Sequence, residues 1–355
     1  MDKYRIDSHK LIYHVGRVND WLAGKDIYPI YAEVSPSGTC NHRCTFCGTD
    51  FMEYKRRFLD VGIFKERLTE MGALGLKSIM YAGEGEPLLH KQIDGIIAHT
   101  KASGIDSALT TNGVLLKEDL AEKLLPDVSW IKVSIAAGTE ETYSKLHRAN
   151  SRDFQKVMAN MAAAAKIRDD RGYSCALGMQ LLLLPENRDE VALLARQARD
   201  IGLDYLVVKP YSQHPKSKTR IYKDVTYAED MKLKGTLDEL STKDFSVIFR
   251  VETMKKWDNA SRDYKRCQAL RFWTYIDAGG HVWGCSMFMN DEAFYYGDIN
   301  TSTFREIWEG EKRMALLKHV EKKMDATKCR VNCRMDAINR YLWELKHPAE
   351  HVNFI

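Results

Sequence analysis

The strongest constraint on the fold is an alternation of short apolar segments with longer amphipathic segments between residues 28 and 210. This pattern is typical of repeated strand and helix units, which place parallel strands side by side in one sheet. We predict six strands, at residues 30–35, 78–83, 107–112, 130–136, 175–184 and 205–210. Because no seventh and eighth unit is evident, the sequence predicts an α/β fold with a partial (β/α)6 TIM-like barrel.

The rest of the chain is expected to flank this barrel. Residues 1–27 are interpreted as an N-terminal extension, 28–225 as the barrel and 226–262 as a polar linker or lid. Residues 263–355 contain a hairpin pattern at 272–285, two helical patterns and four of the cysteines. We therefore expect a small C-terminal domain organised by a metal centre.

Charge and composition exclude several classes of partner. The 355 residues include 53 Lys and Arg against 49 Asp and Glu, a net charge of +4, with no long basic block. Nothing in this balance favours nucleic acid or a membrane surface as a partner. No apolar run approaches the roughly 20 residues of a membrane helix, and the N-terminus lacks the pattern of a secretory signal. We expect a cytoplasmic protein without disulfides.

Eight cysteines in a reducing compartment need another explanation, and their grouping supplies one. Three lie close together, one is isolated and four lie near the C-terminus: Cys40, Cys44, Cys47; Cys175; Cys267, Cys285, Cys329, Cys333. Thiolates spaced by two to four residues can wrap around one soft metal or iron-sulfur centre. Metal binding is therefore predicted from the residues alone, whereas Cys175, at the start of a strand, is interpreted as a packed thiol.

The first group forms CxxxCxxC on the loop that follows the first predicted strand, where parallel α/β folds carry their chemistry. With His42 as a fourth ligand it would suit a zinc site. Three thiolates on a cubane cluster would instead leave one iron open. That arrangement, with Phe46 before the third cysteine and the sequence GEGEP at 83–87, resembles the radical S-adenosylmethionine (SAM) superfamily.

The resemblance implies cofactor-binding roles for several residues. Phe46 corresponds to an aromatic residue beside the adenine, and Gly83, Glu84, Gly85, Glu86 and Pro87 correspond to a GGEP element whose backbone contacts the methionine amino group. Glu84 departs from that element, where glycine is usual. Thr110 and Asn112 lie in a TTNG segment after the third strand. Ser134, Arg148 and Gln180 are similar to residues that contact the ribose or carboxylate of SAM.

The C-terminal cysteines resemble the SPASM and twitch domains of the same superfamily. Four thiolates, Cys267, Cys285, Cys329 and Cys333, suffice for one fully ligated auxiliary 4Fe-4S cluster, which suits the twitch form; a zinc ribbon is the alternative. A fully ligated cluster implies electron transfer rather than substrate binding. This cysteine layout is most similar to that of deoxy-scyllo-inosamine dehydrogenase, an enzyme that oxidises an aminocyclitol alcohol.

The resemblance implies two 4Fe-4S clusters and SAM as cofactors, and a 5′-deoxyadenosyl radical that abstracts a substrate hydrogen. We expect an oxidoreductase that converts an alcohol of a polar, carbohydrate-like small molecule to a ketone, with Lys209, Tyr211 and His214 as candidate catalytic residues at the barrel mouth. A flavodoxin or ferredoxin would donate the electron. The alternatives are a redox-neutral epimerase, dehydratase or decarboxylase, a maturase of ribosomal peptides, and a non-catalytic zinc protein.

Overall fold

One ten-stranded sheet organises the chain in a computed structural model that describes residues 3–260 and 262–354. Its strand order is β10-β9-β8-β1-β2-β3-β4-β5-β6-β7. The strands are β1 (Tyr31–Val34), β2 (Ser78–Tyr81), β3 (Asp106–Thr111), β4 (Val128–Ser134), β5 (Ala176–Leu183), β6 (Tyr205–Pro210), β7 (Ser246–Phe249), β8 (Trp273–Ile276), β9 (His281–Trp283) and β10 (Tyr295–Asp298). Strand β8 and strands β1 to β7 run parallel to one another. Strand β9 is antiparallel to both of its neighbours, β8 and β10.

The six predicted strands are present within two residues of their expected bounds, and the α/β fold class with a partial TIM-like barrel is confirmed. Two further parallel strands extend this sheet. Strand β7 pairs with β6 and comes from segment 226–262, which was expected to be a linker or lid. Strand β8 pairs with β1 through Tyr31 and Trp273, so the C-terminal part of the chain continues the barrel sheet.

The helices follow the predicted alternation and cover the outer face of the sheet. They are α1 (Val15–Leu22), α2 (Val61–Ala73), α3 (Ile93–Ala102), α4 (Glu118–Leu124), α5 (Glu140–His147), α6 (Arg152–Arg171), α7 (Val191–Asp200), α8 (Leu233–Asp238), α9 (Val251–Asn259), α10 (Phe304–Glu309), α11 (Glu311–Lys322) and α12 (Asp336–Lys346). The Asp60 side chain caps α2 by accepting from the Ile63 amide at 2.9 Å, which satisfies one of the free donors of its first turn.

Alternation along the strands separates two environments. On β4, Ile131 and Val133 are fully buried in the main core, which packs the sheet against the helices. The intervening residues, such as Lys132 and Ser134, lie on the opposite face, because successive side chains of a strand point to opposite sides. We call the space lined by this second face of β1 to β8 the lumen.

The N-terminal extension closes the lower end of the lumen, where the strands begin. Tyr4 and Ile6 pack against a small cluster formed by Tyr205, Val207 and Ile248. The Tyr4 and Tyr205 rings lie 5.1 Å apart. A ligand must therefore enter from the other end, where the strands finish.

None of the described helices combines the length and apolar character needed to cross a bilayer.

Candidate active site

The three cysteines of CxxxCxxC lie together on the loop after β1, as free thiols. The His42 amide donates to Cys40 Sγ at 3.4 Å, and Cys47 Sγ lies 3.5 Å from the Thr49 hydroxyl. Burial raises the pKa of the Cys40 thiol to about 12. Iron binding must therefore displace protons, as thiolate ligation requires. Three clustered sulfur donors with polar donors around them fit an iron-sulfur cluster with one open iron.

His147, at the end of α5, contacts this cluster of thiols. Its Nε2 accepts from the Ala136 amide at 3.0 Å, and its Nδ1 lies 3.3 Å from Cys44 Sγ. Burial lowers its pKa to about 3, so the imidazole is neutral. Because Nε2 is an acceptor, Nδ1 carries the proton and donates it to the Cys44 sulfur. The sequence analysis did not identify this contact.

The imidazole of His42, the candidate fourth ligand of a zinc site, groups with one of the three thiols. It groups with Cys44 and His147, whose ligand atoms lie within 4.8 Å of one another. Its Nε2 is also 3.7 Å from Asp153 Oδ2. Cys40 and Cys47 do not share this group among the described residues, so the geometry gives no support to a zinc site built from His42 and all three cysteines.

The GEGEP segment packs tightly against the CxxxCxxC loop. A Cβ on Gly83, whose φ is +118°, would lie 2.4 Å from the Ser35 side chain. A Cβ on Gly85 would lie 2.2 Å from the Thr39 carbonyl oxygen. The Glu86 amide donates to that same carbonyl at 2.8 Å. The two glycines thus let the backbone of this segment lie directly beside the cysteine loop, and buried Pro87 begins a short turn that follows.

Both glutamates of GEGEP use their side chains within the protein. Glu84 accepts from Arg57 at 2.6 Å and from the Ala278 amide at 2.9 Å, which ties this segment to the β8–β9 turn. Glu86 accepts from the Thr111 hydroxyl at 2.5 Å and from the Asn112 amide at 2.8 Å. Burial raises the pKa of both carboxyl groups. These two residues would therefore contribute to a cofactor site through their backbone groups and not through their side chains.

The TTNG segment is linked to the cysteine loop as well. The Asn112 side chain donates to Asn41 Oδ1 at 2.6 Å and accepts from the Val114 amide at 3.1 Å. Thr110 lies on the lumen face, with its hydroxyl 3.6 Å from Met80 Sδ. Asn112 therefore holds the loops of two strands together.

The remaining cofactor candidates separate into two groups. Ser134 and Gln180 are paired neighbours on β4 and β5 and face the lumen. Phe46 lies beside His147, with the rings 5.2 Å apart and nearly perpendicular. Arg148, in contrast, is exposed at the end of α5 with a left-handed φ of +46°. The structure brings the first three toward the mouth and leaves Arg148 at the surface.

The candidate catalytic residues occupy three different environments. Lys209 faces the lumen from β6. Tyr211 is buried among aromatic rings and donates to Gln213 Oε1 at 3.2 Å. His214 stacks on Phe51 with ring centroids 4.7 Å apart, and burial together with Arg330 lowers its pKa to about 4. Lys209 is the charged side chain of these three, and it faces the lumen.

The four C-terminal cysteines line one common cavity. Apolar side chains complete the walls, including Trp273, Phe288 and Phe294. Amide groups point at the sulfurs: the Met287 amide lies 3.4 Å from Cys285 Sγ, and the Met335 amide lies 3.4 Å from Cys333 Sγ. A complete set of four sulfur donors with N–H donors and a dry lining fits a fully ligated cluster.

The loop that carries the last two of these cysteines also covers the mouth of the barrel. Arg330 donates to the Ser212 hydroxyl at 2.5 Å and to the Ser212 carbonyl oxygen at 2.8 Å, just after β6. Arg334 forms an ion pair with Glu33 on β1. The auxiliary cysteine set and the lumen are therefore joined by six consecutive residues, 329–334. The isolated Cys175 is 2% exposed and lies in the main core, as predicted.

Comparison with known proteins identifies both parts of this site. Residues 34–198 match the radical SAM superfamily, and residues 267–334 match the SPASM iron-sulfur cluster-binding domain. The chain therefore contains a radical SAM domain followed by a SPASM domain. The cofactors of these domains are accordingly SAM and a 4Fe-4S cluster for residues 34–198, and auxiliary iron-sulfur ligation for residues 267–334.

The curated relatives match mainly the barrel. The chain is 25% identical over 193 residues to GTP 3′,8-cyclase of Chlorobaculum tepidum, covering 52% of this chain and 55% of the cyclase. It is 33% identical over 115 residues to an S-adenosylmethionine-dependent nucleotide dehydratase of Lacinutrix mariniflava, covering 31% of this chain and 24% of the dehydratase. The chain thus spans about half or less of the curated relatives it matches.

Solved structures support the fold over most of the chain. Streptococcus suis SuiB bound to S-adenosylmethionine superimposes with a TM-score of 0.65 at 16% identity, covering 84% of this chain and 70% of SuiB. AnSMEcpe with bound AdoMet gives a TM-score of 0.59 at 16% identity, covering 90% and 95%. At these identities the similarity establishes the fold.

Proposed function

We propose that this enzyme abstracts a hydrogen atom from a polar small molecule held in the lumen and oxidises an alcohol to a ketone. One observation carries the proposal: the loop that contributes two auxiliary cysteines also lines the mouth of the lumen. When bound, SAM and the open cluster would supply the 5′-deoxyadenosyl radical that takes the hydrogen atom. The auxiliary 4Fe-4S cluster would accept the electron of the substrate radical, and the hydroxyl proton would pass to water at the mouth. This is the reaction type of deoxy-scyllo-inosamine dehydrogenase.

The chain's own residues divide the work of binding and orientation. Phe46, Thr110, Ser134, Gln180 and the backbone of 83–87 would hold SAM, because they surround the mouth beside the cysteine loop. Asn112, Glu84 and Glu86 would fix the loops, and Arg148 would reach SAM only by bending back from the surface. Lys209 would contact the substrate, and Tyr211 and His214 would wall the mouth.

A redox-neutral reaction is the second candidate, and the activities named for two relatives favour it. A cyclase acts on GTP, and a dehydratase acts on a nucleotide. A solved SuiB structure with the precursor peptide SuiA has the same fold, with a TM-score of 0.64 at 16% identity, and keeps a peptide substrate among the candidates. A flavodoxin or ferredoxin would reduce the catalytic cluster in every case.

The decisive variant removes two auxiliary ligands, Cys329→Ala with Cys333→Ala. Anaerobic reconstitution should give about eight irons in the parent and about four in the variant, because seven cysteines suffice for two 4Fe-4S clusters. We expect the variant to form 5′-deoxyadenosine from SAM and dithionite at a rate close to that of the parent. It should form little ketone, because the second electron has no acceptor.

Circular dichroism and limited proteolysis must show the variant folded, since metal ligation can hold a small domain together. As a matched control, Cys175→Ala removes a thiol that lies outside both groups and should retain iron and turnover. Parent-like turnover in the folded double variant would overturn the electron-acceptor role. A product lighter by water rather than by two hydrogens would establish the redox-neutral alternative.

A further inference from the structure

Two lysines on the inner face of the sheet form no ion pair with any of the described residues. Lys132 on β4 and Lys209 on β6 both face the lumen, opposite the core residues that flank them. Lys132 Nζ lies 5.0 Å from the centre of the Trp130 ring. Across residues 3–260 and 262–354, neither ammonium group makes a hydrogen bond or an ion pair. Unpaired ammonium groups away from bulk water are uncommon, because desolvation penalises the charged form.

Three arginines converge on the same space. Arg250 follows β7, whereas Arg330 and Arg334 come from the loop that carries the last two cysteines. Arg334 is paired with Glu33, and Arg250 Nε donates to Asp7 at 3.0 Å. Arg330 is held by the hydroxyl and carbonyl oxygens of Ser212, which carry no charge. Among the described residues, five basic side chains therefore meet two carboxylates, and three of the five have no acidic partner.

The mutual repulsion of these groups is visible in the pKa values of the lysines. Burial lowers the pKa of Lys209 well below its usual range, and Lys132, Arg250, Arg334 and Arg330 lower it further. Burial lowers the pKa of Lys132 to about 8, with Arg334 and Arg250 as additional causes. Gathering like charges in a partly desolvated space costs free energy, and a bound anion would offset that cost.

The position of these cationic side chains in the lumen indicates that they contact the substrate. The lower end of the lumen is closed by Tyr4 and Ile6, so an anion must enter through the mouth beside the CxxxCxxC loop. Lys209 is paired in register with Leu182, two residues beyond the SAM candidate Gln180 on the same strand. If Lys132, Lys209 and Arg330 hold the anionic group of a substrate, the rest of that molecule faces the mouth.

We infer that the lumen binds a phosphoryl group, and that the substrate is a small molecule carrying a phosphate ester or a phosphoanhydride. The geometry favours phosphate because a tetrahedral dianion can accept hydrogen bonds from several directions, and these donors come from two strands and a loop. The inference rests on the proposed function, since it names the chemical class of the substrate of that same site.

Calorimetry with inorganic pyrophosphate tests the inference on the full chain, reconstituted anaerobically and saturated with SAM. Saturating SAM occupies the position of its own carboxylate, so pyrophosphate cannot bind there. We expect one pyrophosphate per chain, and about tenfold weaker binding in Lys132→Met and in Lys209→Met, because each loses one charge-assisted hydrogen bond. Lys101→Met, the same change at an exposed position on α3, should bind like the parent.

Citrate distinguishes a carboxylate-binding lumen from a phosphate-binding one. Pyrophosphate should bind more tightly than citrate at equal ionic strength, and Lys209→Arg should retain binding because it retains the charge. The inference is overturned if the SAM-loaded parent does not bind pyrophosphate, if both folded methionine variants bind it like Lys101→Met, or if citrate binds more tightly. The proposed function fails separately, if the same parent preparation forms no 5′-deoxyadenosine with dithionite.

Discussion

At the scale of single residues, the most informative side chain is one that the sequence patterns did not single out. His147 lies 103 positions from Cys44 in the chain, yet its Nδ1 is 3.3 Å from the Cys44 sulfur. Hydrogen bonds to cluster sulfurs shift the reduction potential of an iron-sulfur centre, because they stabilise the added negative charge of the reduced state. His147 is therefore a positioning residue that favours reduction of the catalytic cluster.

Replacing His147 by Phe should make the potential of that cluster more negative and slow SAM cleavage about tenfold or more. Phe keeps a ring against Tyr143, whose ring centroid is 4.2 Å from that of His147, while it removes the N–H donor. The measurement is a redox titration followed by electron paramagnetic resonance, using the signal that changes when SAM is added. His319→Phe, on the exposed face of α11, is the control. An unchanged potential in the folded variant would show that His147 only packs.

At the scale of elements, local patterns predicted the six strands of the barrel and the hairpin of β8 and β9. They did not predict that β8 would pair with β1, because that pairing joins residues about 240 positions apart and leaves no periodic signal in either segment. The consequence is an ion-pair network between elements. Arg57 lies 2.6 Å from Glu84 and 3.7 Å from Asp277, so it links the GEGEP segment to the β8–β9 turn.

Replacing Arg57 by Met should lower the free energy of unfolding by about 3 kcal/mol, because two buried carboxylates lose their shared cation. Both acid side chains are at most 1% exposed, so solvent cannot replace it. Urea titration of the reconstituted protein measures the change. Arg56→Met, at the exposed neighbouring position, should change stability little. Adding Glu84→Gln to Arg57→Met should recover part of the loss; no recovery would mean that the arginine acts by packing alone.

At the scale of the whole molecule, the lumen gathers positive charge from distant parts of the chain. Its cations come from β4, β6, the end of β7 and the cysteine loop near the C-terminus. The sequence predicted Lys209 at the mouth, because it follows the strand that ends there. It did not predict Lys132, Arg330 or Arg334 as partners, since a bulk net charge of +4 conceals where the charges meet. Only the fold shows that they share one space with Glu33 of β1, which pairs with Arg334 and acts on Lys132.

This convergence predicts how anion affinity depends on pH. The pKa of Lys132 lies at about 8, lowered from its usual value by burial and by Arg334 and Arg250, while Glu33 opposes the shift. An anion binds the protonated amine, so binding raises this pKa. The contribution of Lys132 to the anion affinity should then be nearly constant below pH 8. Above pH 8 the affinity should fall by up to about tenfold per pH unit. Lys209 adds a decline of the same sign, because burial and the neighbouring cations lower its pKa well below its usual range.

Sulfate is the probe for this measurement, because its charge is constant across the range and any pH dependence must come from the protein. Titration of the SAM-loaded protein between pH 6.5 and 9.5 should show affinity falling as the pH rises, most steeply above pH 8. Lys132→Met should weaken binding and remove the additional decline above pH 8, whereas Lys101→Met should keep the parental profile. A parental profile that is flat, or that rises with pH, would mean that the lysines do not hold the anion. The lumen would then be a site for neutral molecules, and water would solvate its charged side chains.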